Sequence, residues 1–208
     1  MFIGHAALAL AAKPLAPRAH LGVALAATYW NDLMWPIFVL LGIERVEIDP
    51  GNTAFTPLDF VHYPWTHSLA AALVWSALFG IACWKLGRRA MLVMGLLLFS
   101  HWALDALSHR PDLPLWPGSR ARGGLGLGNS VVATLAVESA LVAAGVAIYL
   151  RAGGKGTIAF WGLIAFFVIA YLGAAFGPAP PGASAVAARA LALWLLPLWG
   201  WWAARPRG

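Results

Sequence analysis

Long apolar runs separated by short polar segments dominate the chain. Six of the runs are long enough to cross a membrane as helices, and they occupy residues 20–42, 66–84, 90–109, 130–150, 157–176 and 183–203. About 20 apolar residues in a helix span the hydrocarbon core of a bilayer, which is roughly 30 Å thick. The pattern therefore predicts an all-α fold, a polytopic transmembrane bundle of six to seven helices.

Whether the helices number six or seven depends on the opening segment, residues 1–12. This segment is apolar but short, and Pro14 and Pro17 end it. It does not resemble a signal peptide, because its positive charges, Lys13 and Arg18, follow the apolar run instead of preceding it. We expect either a short seventh span or a helix that dips into the bundle.

The composition supports a membrane domain. Of the 208 residues 61% are hydrophobic and only 11% are charged, whereas a soluble domain carries about 25% charged residues. The length suits one domain, 1–208, in which residues 1–122 hold the histidine and aspartate motifs and 130–208 form three supporting transmembrane helices. The single cysteine, Cys83, lies inside an apolar run and excludes a disulfide framework.

The charged residues are distributed unevenly between alternate loops. The loops 13–19, 85–89, 151–156 and 204–208 contain basic residues, Arg207 among them, and no Asp or Glu, whereas 43–65 and 110–129 contain the loop acids. An excess of Lys and Arg marks cytoplasmic loops. The prediction is a multi-pass protein of the bacterial inner membrane with a cytoplasmic C-terminus. Its basic residues then meet membrane lipids and not nucleic acid.

Five ionisable residues fall within or beside the apolar runs at a similar depth, near the predicted outer face. They come from four separate segments and are His5, Asp32, His67, His101 and Asp105. Ionisable groups at such depth are costly and usually mark a functional site. The alternative is that each residue only hydrogen-bonds neighbouring helices. Glu138 is open to both interpretations, either as a group of the site or as a partner of Arg110 or another helix.

The spacing of these residues indicates which of them can act together on one ligand. His101 and Asp105 are four residues apart, so a helix places them on one face, and His109 continues that face. Thr66 is a candidate N-cap that would place His67 in the first turn of the next helix. Imidazole and carboxylate without thiolate suit a divalent metal ion, with zinc favoured and manganese or iron as alternatives.

These residues lie in motifs that resemble the membrane-bound metal-dependent hydrolase family. The shared elements are Gly4-His5, Asn31-Asp32-Leu33, His62 to Ser68, His101 to Asp105, and Trp116-Pro117. The chain is also similar to a widespread group of bacterial multi-pass membrane proteins. The resemblance implies a metal-dependent hydrolase. Met34 stands where that family has a second Asp, which implies one ion instead of two, and Tyr63 replaces an Arg, for which Arg110 is a candidate substitute.

The leading hypothesis is therefore a hydrolase of the outer leaflet that acts on a phosphoester of a lipid or lipid-linked molecule. His62 or Asp59 would take the proton from water, and Arg110 with His109 would bind the substrate. The alternative hypothesis is a non-enzymatic membrane protein that binds metal ions or protons through the same cluster, in transport or in assembly.

Overall fold

The computed structural model describes residues 1–205, so Arg207 of the last basic loop lies outside the described residues. The helices are α1 (Ile3–Ala11), α2 (Leu21–Thr28), α3 (Trp30–Leu40), α4 (Pro64–His67), α5 (Leu69–Ala82), α6 (Arg88–Ser108), α7 (Val131–Arg151), α8 (Ile158–Phe176), α9 (Ala183–Ala190) and α10 (Leu195–Ala203). The strands are β1 (Arg45–Ile48), β2 (Leu58–His62), β3 (Leu113–Pro114) and β4 (Arg122–Gly123). Each predicted apolar run is helical, so the predicted all-α bundle is confirmed.

The helices of residues 1–205 differ in whether they are long enough to cross a membrane. Helices α6, α7 and α8 are long and apolar enough to cross a membrane, as is the run Ala183–Ala203. Helices α2 and α3 would form a fifth span, bent by 54°. Helix α1 has 9 residues and α5 has 14, which correspond to about 14 Å and 21 Å of helix. These two segments are shorter than the hydrocarbon core, so α1 enters the bundle without crossing it.

The bend between α2 and α3 shapes the middle of the bundle. Tyr29 has φ −102° and ψ 6°, which ends α2 before α3 begins. The last carbonyls of a helix have no partner within it, so the bend leaves the carbonyl of Thr28 available to another element. Pro36 lies inside α3 and lacks the N–H that would bond the carbonyl of Asp32. Asp32 therefore sits between two interruptions of regular helix.

Glycines allow two pairs of helices to approach closely. A Cβ on Gly145 of α7 would lie 2.5–3.0 Å from backbone atoms of Ala7 in α1. A Cβ on Gly80 or Gly95 would meet the backbone of the partner helix at 3.0 Å where α5 crosses α6. Small residues at helix crossings give membrane bundles their packing contacts. The close approach at Gly145 fixes α1 within the bundle.

The two long loops that hold the acidic residues meet at one end of the bundle. Strands β1 and β2 form an antiparallel hairpin in the first loop, and β3 pairs with β4 in the second. The N–H of Phe55 donates to the carbonyl of Gly128 at 3.1 Å, which joins the loops. At the other end, Lys13, His20 and Lys155 line one small pocket. Acidic and basic loops therefore lie at opposite ends, as the charge pattern predicts.

Candidate metal centre

Helix α6 brings a histidine and a carboxylate to the interior of the bundle. His101 and Asp105 are one helical turn apart, and both are buried. His101 Nε2 lies 3.0 Å from Asp105 Oδ2. The other ring nitrogen, Nδ1, lies 2.7 Å from the carbonyl oxygen of Thr28. The bend after α2 thus supplies the group that orients the His101 ring.

Helices α3 and α4 add Asp32 and His67 to the same place. Asp32 lies in the first turn of α3, where a carboxylate is favoured by the helix dipole. His67 is the last residue of the short helix α4, which begins at Pro64. The N-cap of α5 is Ser68, whose hydroxyl accepts from the N–H of Ala71. The expectation that Thr66 caps this helix was wrong, because α4 forms a separate turn that ends at His67.

The distances between these groups fit a single metal ion. The Nε2 atoms of His67 and His101 are 3.4 Å apart, and Asp32 Oδ1 lies 3.5 Å from the first and 3.7 Å from the second. Ligands bound at 2.0–2.1 Å to a tetrahedral ion stand roughly 3.3–3.4 Å from one another. Asp32, His67 and His101 therefore fit three protein ligands with one position open, the arrangement of catalytic zinc sites.

The hydrogen bonds around the two histidines determine which nitrogen faces the site. A carbonyl oxygen only accepts, so Nδ1 of His101 carries a hydrogen and donates it to Thr28. The hydroxyl of Thr66 donates to Glu44 Oε2 at 2.7 Å, so its oxygen accepts from Nδ1 of His67 at 2.7 Å. In neutral rings both Nε2 atoms then present lone pairs to each other and to two carboxylates. A cation between these acceptors relieves their mutual repulsion.

His5 lies beside this triad and does not share its geometry. Its ring stacks on that of His101, with centroids 3.9 Å apart and planes within 7°. An ion in the plane of one ring lies well outside the plane of the other, so both rings cannot bind one ion along their lone pairs. His5 Nε2 is 3.3 Å from Asp105 Oδ1. Among residues 1–205 neither of its nitrogens has an aligned hydrogen-bond partner.

The two carboxylate oxygens of Asp105 face different groups. Oδ1 lies 2.5 Å from the ammonium group of Met1, which also donates to Ser108 Oγ at 2.9 Å. Oδ2 faces His101 and stands 3.8 Å from His67 Nε2. Asp105 therefore connects the His5 side of the cluster with the triad. The structure brings together all five residues predicted as metal ligands.

Glu138 of α7 caps helix α1. Its Oε2 accepts hydrogen bonds from the backbone N–H groups of Phe2 and Gly4 at 3.0 and 2.9 Å. The first N–H groups of a helix have no partner within it, and a carboxylate there also meets the positive end of the helix dipole. Glu138 thus holds the start of α1, the helix that carries His5. It pairs with this helix and not with Arg110.

The cluster opens into a cavity of about 230 Å³ between the bundle and the two joined loops. Asp32, His67 and Asp105 lie in its wall. Most of the remaining wall is apolar, with aromatic side chains from several elements, namely Phe2, Phe55 and Phe60. A small molecule in this cavity would therefore meet both charged groups and apolar surface.

A second polar cluster lies in the two loops, and three of its members, His109, Arg110 and Asp112, line the same cavity. Arg110 Nη2 donates to Asp59 Oδ1 at 2.6 Å, and its Nε donates to Asp112 Oδ2 at 3.3 Å. The hydroxyl of Tyr63 donates to Asp112 Oδ1 at 2.9 Å, and His109 Nδ1 is 3.0 Å from the same oxygen. Burial alone would raise the pKa of Asp112, but these hydrogen bonds lower it below its ordinary value.

The remaining predicted site residues have different positions. Arg110 and His109 line the cavity, as their predicted contact with substrate requires. Asp59 does not line it and is held by Arg110. His62 is exposed at the end of β2, opposite Arg45 in the hairpin. The structure therefore does not bring His62 to the cluster, and its role in proton transfer stays a prediction.

A family model matches residues 1–179, which include the whole cluster, the cavity wall and helices α1 to α8. The chain belongs to the YdjM inner membrane protein family. No curated protein and no solved structure matches it. The family description agrees with the predicted inner membrane location.

Two residues of the cluster escaped sequence reasoning. Glu44 lies in an acidic loop of the sequence, but in the structure it is buried and accepts hydrogen bonds from three groups next to His67. Thr28 contributes through its backbone carbonyl, which carries no signal in the residue type. The contact of Glu44 with Thr66 depends on how the loop before β1 packs against α4, which the sequence does not specify.

Proposed function

We propose that the protein is a metal-dependent hydrolase of the inner membrane, with its active centre near the outer face. Its substrate would be a phosphoester of a lipid or lipid-linked molecule. One observation carries the proposal. Two histidine lone pairs, fixed by their hydrogen bonds, and two carboxylates converge where a cavity opens. The resemblance to membrane-bound metal-dependent hydrolases supports the same conclusion.

Asp32, His67 and His101 would hold the ion, and Asp105 would balance its charge from beside the triad. Two imidazoles with one carboxylate are a common ligand set of catalytic zinc, and the same set also suits iron. When bound, such an ion polarises a phosphoryl oxygen and makes water more acidic. His5 would support Asp105 through the short approach to its Oδ1.

The loop cluster would bind the charged part of the substrate. Arg110 uses two of its five N–H groups on Asp59 and Asp112, so the others remain to donate to a phosphate oxygen. The two carboxylates would hold the guanidinium in the cavity wall. The apolar side of the cavity would take the first carbons of a lipid chain, because apolar surface there would otherwise contact water.

His109 is the proposed proton acceptor. It lines the cavity, and its Nδ1 is held by Asp112 at 3.0 Å, which leaves Nε2 to exchange a proton with water or a leaving group. The Asp59–Arg110 ion pair makes Asp59 an anchor for the arginine, and so His109 replaces Asp59 in this role.

The experiment compares metal content and hydrolysis in purified protein. We expect His67→Ala and Asp105→Ala to lose bound zinc and activity against a panel of lipid phosphoesters. His20→Ala is the matched control, because His20 lies at the opposite end of the bundle, and it should keep both properties. Retained activity in a metal-free His67/Asp105 double variant would end the proposal. Bound metal without hydrolysis of any panel member would leave a metal-binding protein that is not a hydrolase.

A further inference from the structure

Glu44 is a buried carboxylate whose partners are all neutral hydrogen-bond donors. Only 3% of the residue is exposed, and within residues 1–205 no basic side chain forms an ion pair with it. Its Oε1 accepts from the backbone N–H groups of Trp65 and Thr66 at 2.8 and 2.9 Å. Its Oε2 accepts from the hydroxyl of Thr66 at 2.7 Å. Burying a carboxylate without a cationic partner costs free energy, even when its oxygens accept hydrogen bonds.

Glu44 determines how the Thr66 hydroxyl is oriented towards His67. A hydroxyl has one hydrogen, and in Thr66 it is committed to Glu44. The Thr66 oxygen can therefore only accept from His67 Nδ1, which lies 2.7 Å away. The chain of bonds runs in one direction, from His67 through Thr66 to Glu44. It places the hydrogen of the neutral imidazole on Nδ1 and the lone pair on Nε2, towards Asp32 and His101.

The hydrogen bonds keep this direction only if both side-chain atoms at position 44 accept hydrogen bonds, as the two oxygens of a carboxylate do. A glutamine at position 44 has one amide nitrogen, which donates and cannot accept. If that nitrogen faced the Thr66 hydroxyl, the hydroxyl would turn and donate to His67 Nδ1, and the imidazole hydrogen would move to Nε2. If the amide were flipped, its NH₂ would point at the two backbone N–H groups. Either arrangement disrupts the bonds that the carboxylate makes.

We infer that Glu44 is a positioning residue of the metal centre, and that it acts through Thr66 to keep the Nε2 lone pair of His67 directed at the ion. This inference rests on the proposed metal site, because a lone pair needs such control only where it binds a ligand. Residues behind a metal-binding histidine commonly fix its tautomer, and their loss weakens metal binding by 10–100-fold.

Glu44 also caps the short helix α4, and this structural task can be separated from the positioning one. Thr66→Val removes the hydroxyl but keeps both backbone N–H groups that Oε1 accepts. Valine has nearly the shape of threonine, so the packing changes little. Thr66→Ser keeps the hydroxyl and is the matched control. Glu44→Gln tests the first member of the chain.

The experiment titrates metal-free protein in detergent with Co²⁺ and follows its visible absorption, which reports ligand geometry. Histidine labelled with ¹⁵N gives the tautomer of His67, identified as the signals lost in His67→Ala. We expect Thr66→Val and Glu44→Gln to bind Co²⁺ 10–100-fold more weakly than the wild type and Thr66→Ser to match it. In the wild type, His67 should carry its hydrogen on Nδ1, and in Thr66→Val the Nε2–H form should appear.

Two results would contradict the inference. Either Thr66→Val and Glu44→Gln bind Co²⁺ as tightly as the wild type, or the His67 tautomer is the same in the wild type and in Thr66→Val. If Glu44→Gln does not fold, the Thr66 pair alone decides. A wild type that binds no Co²⁺ refutes the proposed function instead, and the ¹⁵N spectra then decide whether the hydrogen-bond chain fixes the tautomer.

Discussion

Replacing Glu138 with leucine should destabilise the bundle strongly, because it removes the cap of helix α1. The carboxylate accepts two buried hydrogen bonds, from the N–H groups of Phe2 and Gly4. A buried donor left without an acceptor costs about 1–3 kcal/mol, so two cost about 2–6 kcal/mol. Loss of the negative charge at the start of the helix adds about 0.3–2 kcal/mol.

Glutamine at the same position separates the two contributions. Both N–H groups donate to one oxygen, Oε2, and the carbonyl oxygen of a glutamine can take that place. Glu138→Gln should therefore lose only the charge contribution, about 0.3–2 kcal/mol. The difference between Leu and Gln variants measures the hydrogen bonds to α1.

The assay is equilibrium unfolding in mixed detergent micelles, followed by circular dichroism, with Co²⁺ affinity measured on the same samples. Glu138→Gln should retain metal binding, because the cap holds α1 and His5 in place. Equal ease of unfolding in the Gln and Leu variants would show that the hydrogen bonds to α1 do not stabilise the bundle. A Glu138→Gln variant that stays folded but no longer binds the metal would show that Glu138 is a ligand and not a cap.

Two further predictions concern the loops and the helix packing. Hydrogen bonds from His109, Tyr63 and Arg110 lower the pKa of Asp112 below its ordinary 3.8, against the effect of burial. The ionised Asp112 therefore stabilises the folded protein fully above pH 3.8, and this contribution is lost as the pH falls through the pKa of Asp112 in the folded state. Asp112→Asn should flatten the decline of the unfolding free energy below pH 3.8, and an unchanged pH profile would contradict this. Gly145→Ala would place a Cβ 2.5 Å from the carbonyl oxygen of Ala7, and it should cost about 1–3 kcal/mol in the same unfolding assay. Gly173→Ala is its control, because a Cβ there meets nothing within 4 Å; equal effects of the two variants would refute the packing argument.

The sequence alone determined the features that depend on local properties of the chain. The length of an apolar run decides whether a helix reaches across the hydrocarbon core, and the loop charges separate the two ends of the bundle. The four-residue spacing of His101 and Asp105 places them on one helix face without help from other elements. For these reasons the bundle, the separation of acidic and basic loops and one pair of the cluster were predictable.

Only the tertiary structure decided how the cluster is connected. The bend at Tyr29 exposes the Thr28 carbonyl to His101, and the loop before β1 carries Glu44 to Thr66. The stacking of His5 on His101 and the pairing of Asp59 with Arg110 also depend on how separate elements meet. Hydrogen-bond direction is a property of atoms within about 3 Å of each other, and hydropathy and spacing do not specify which atoms of distant segments come that close.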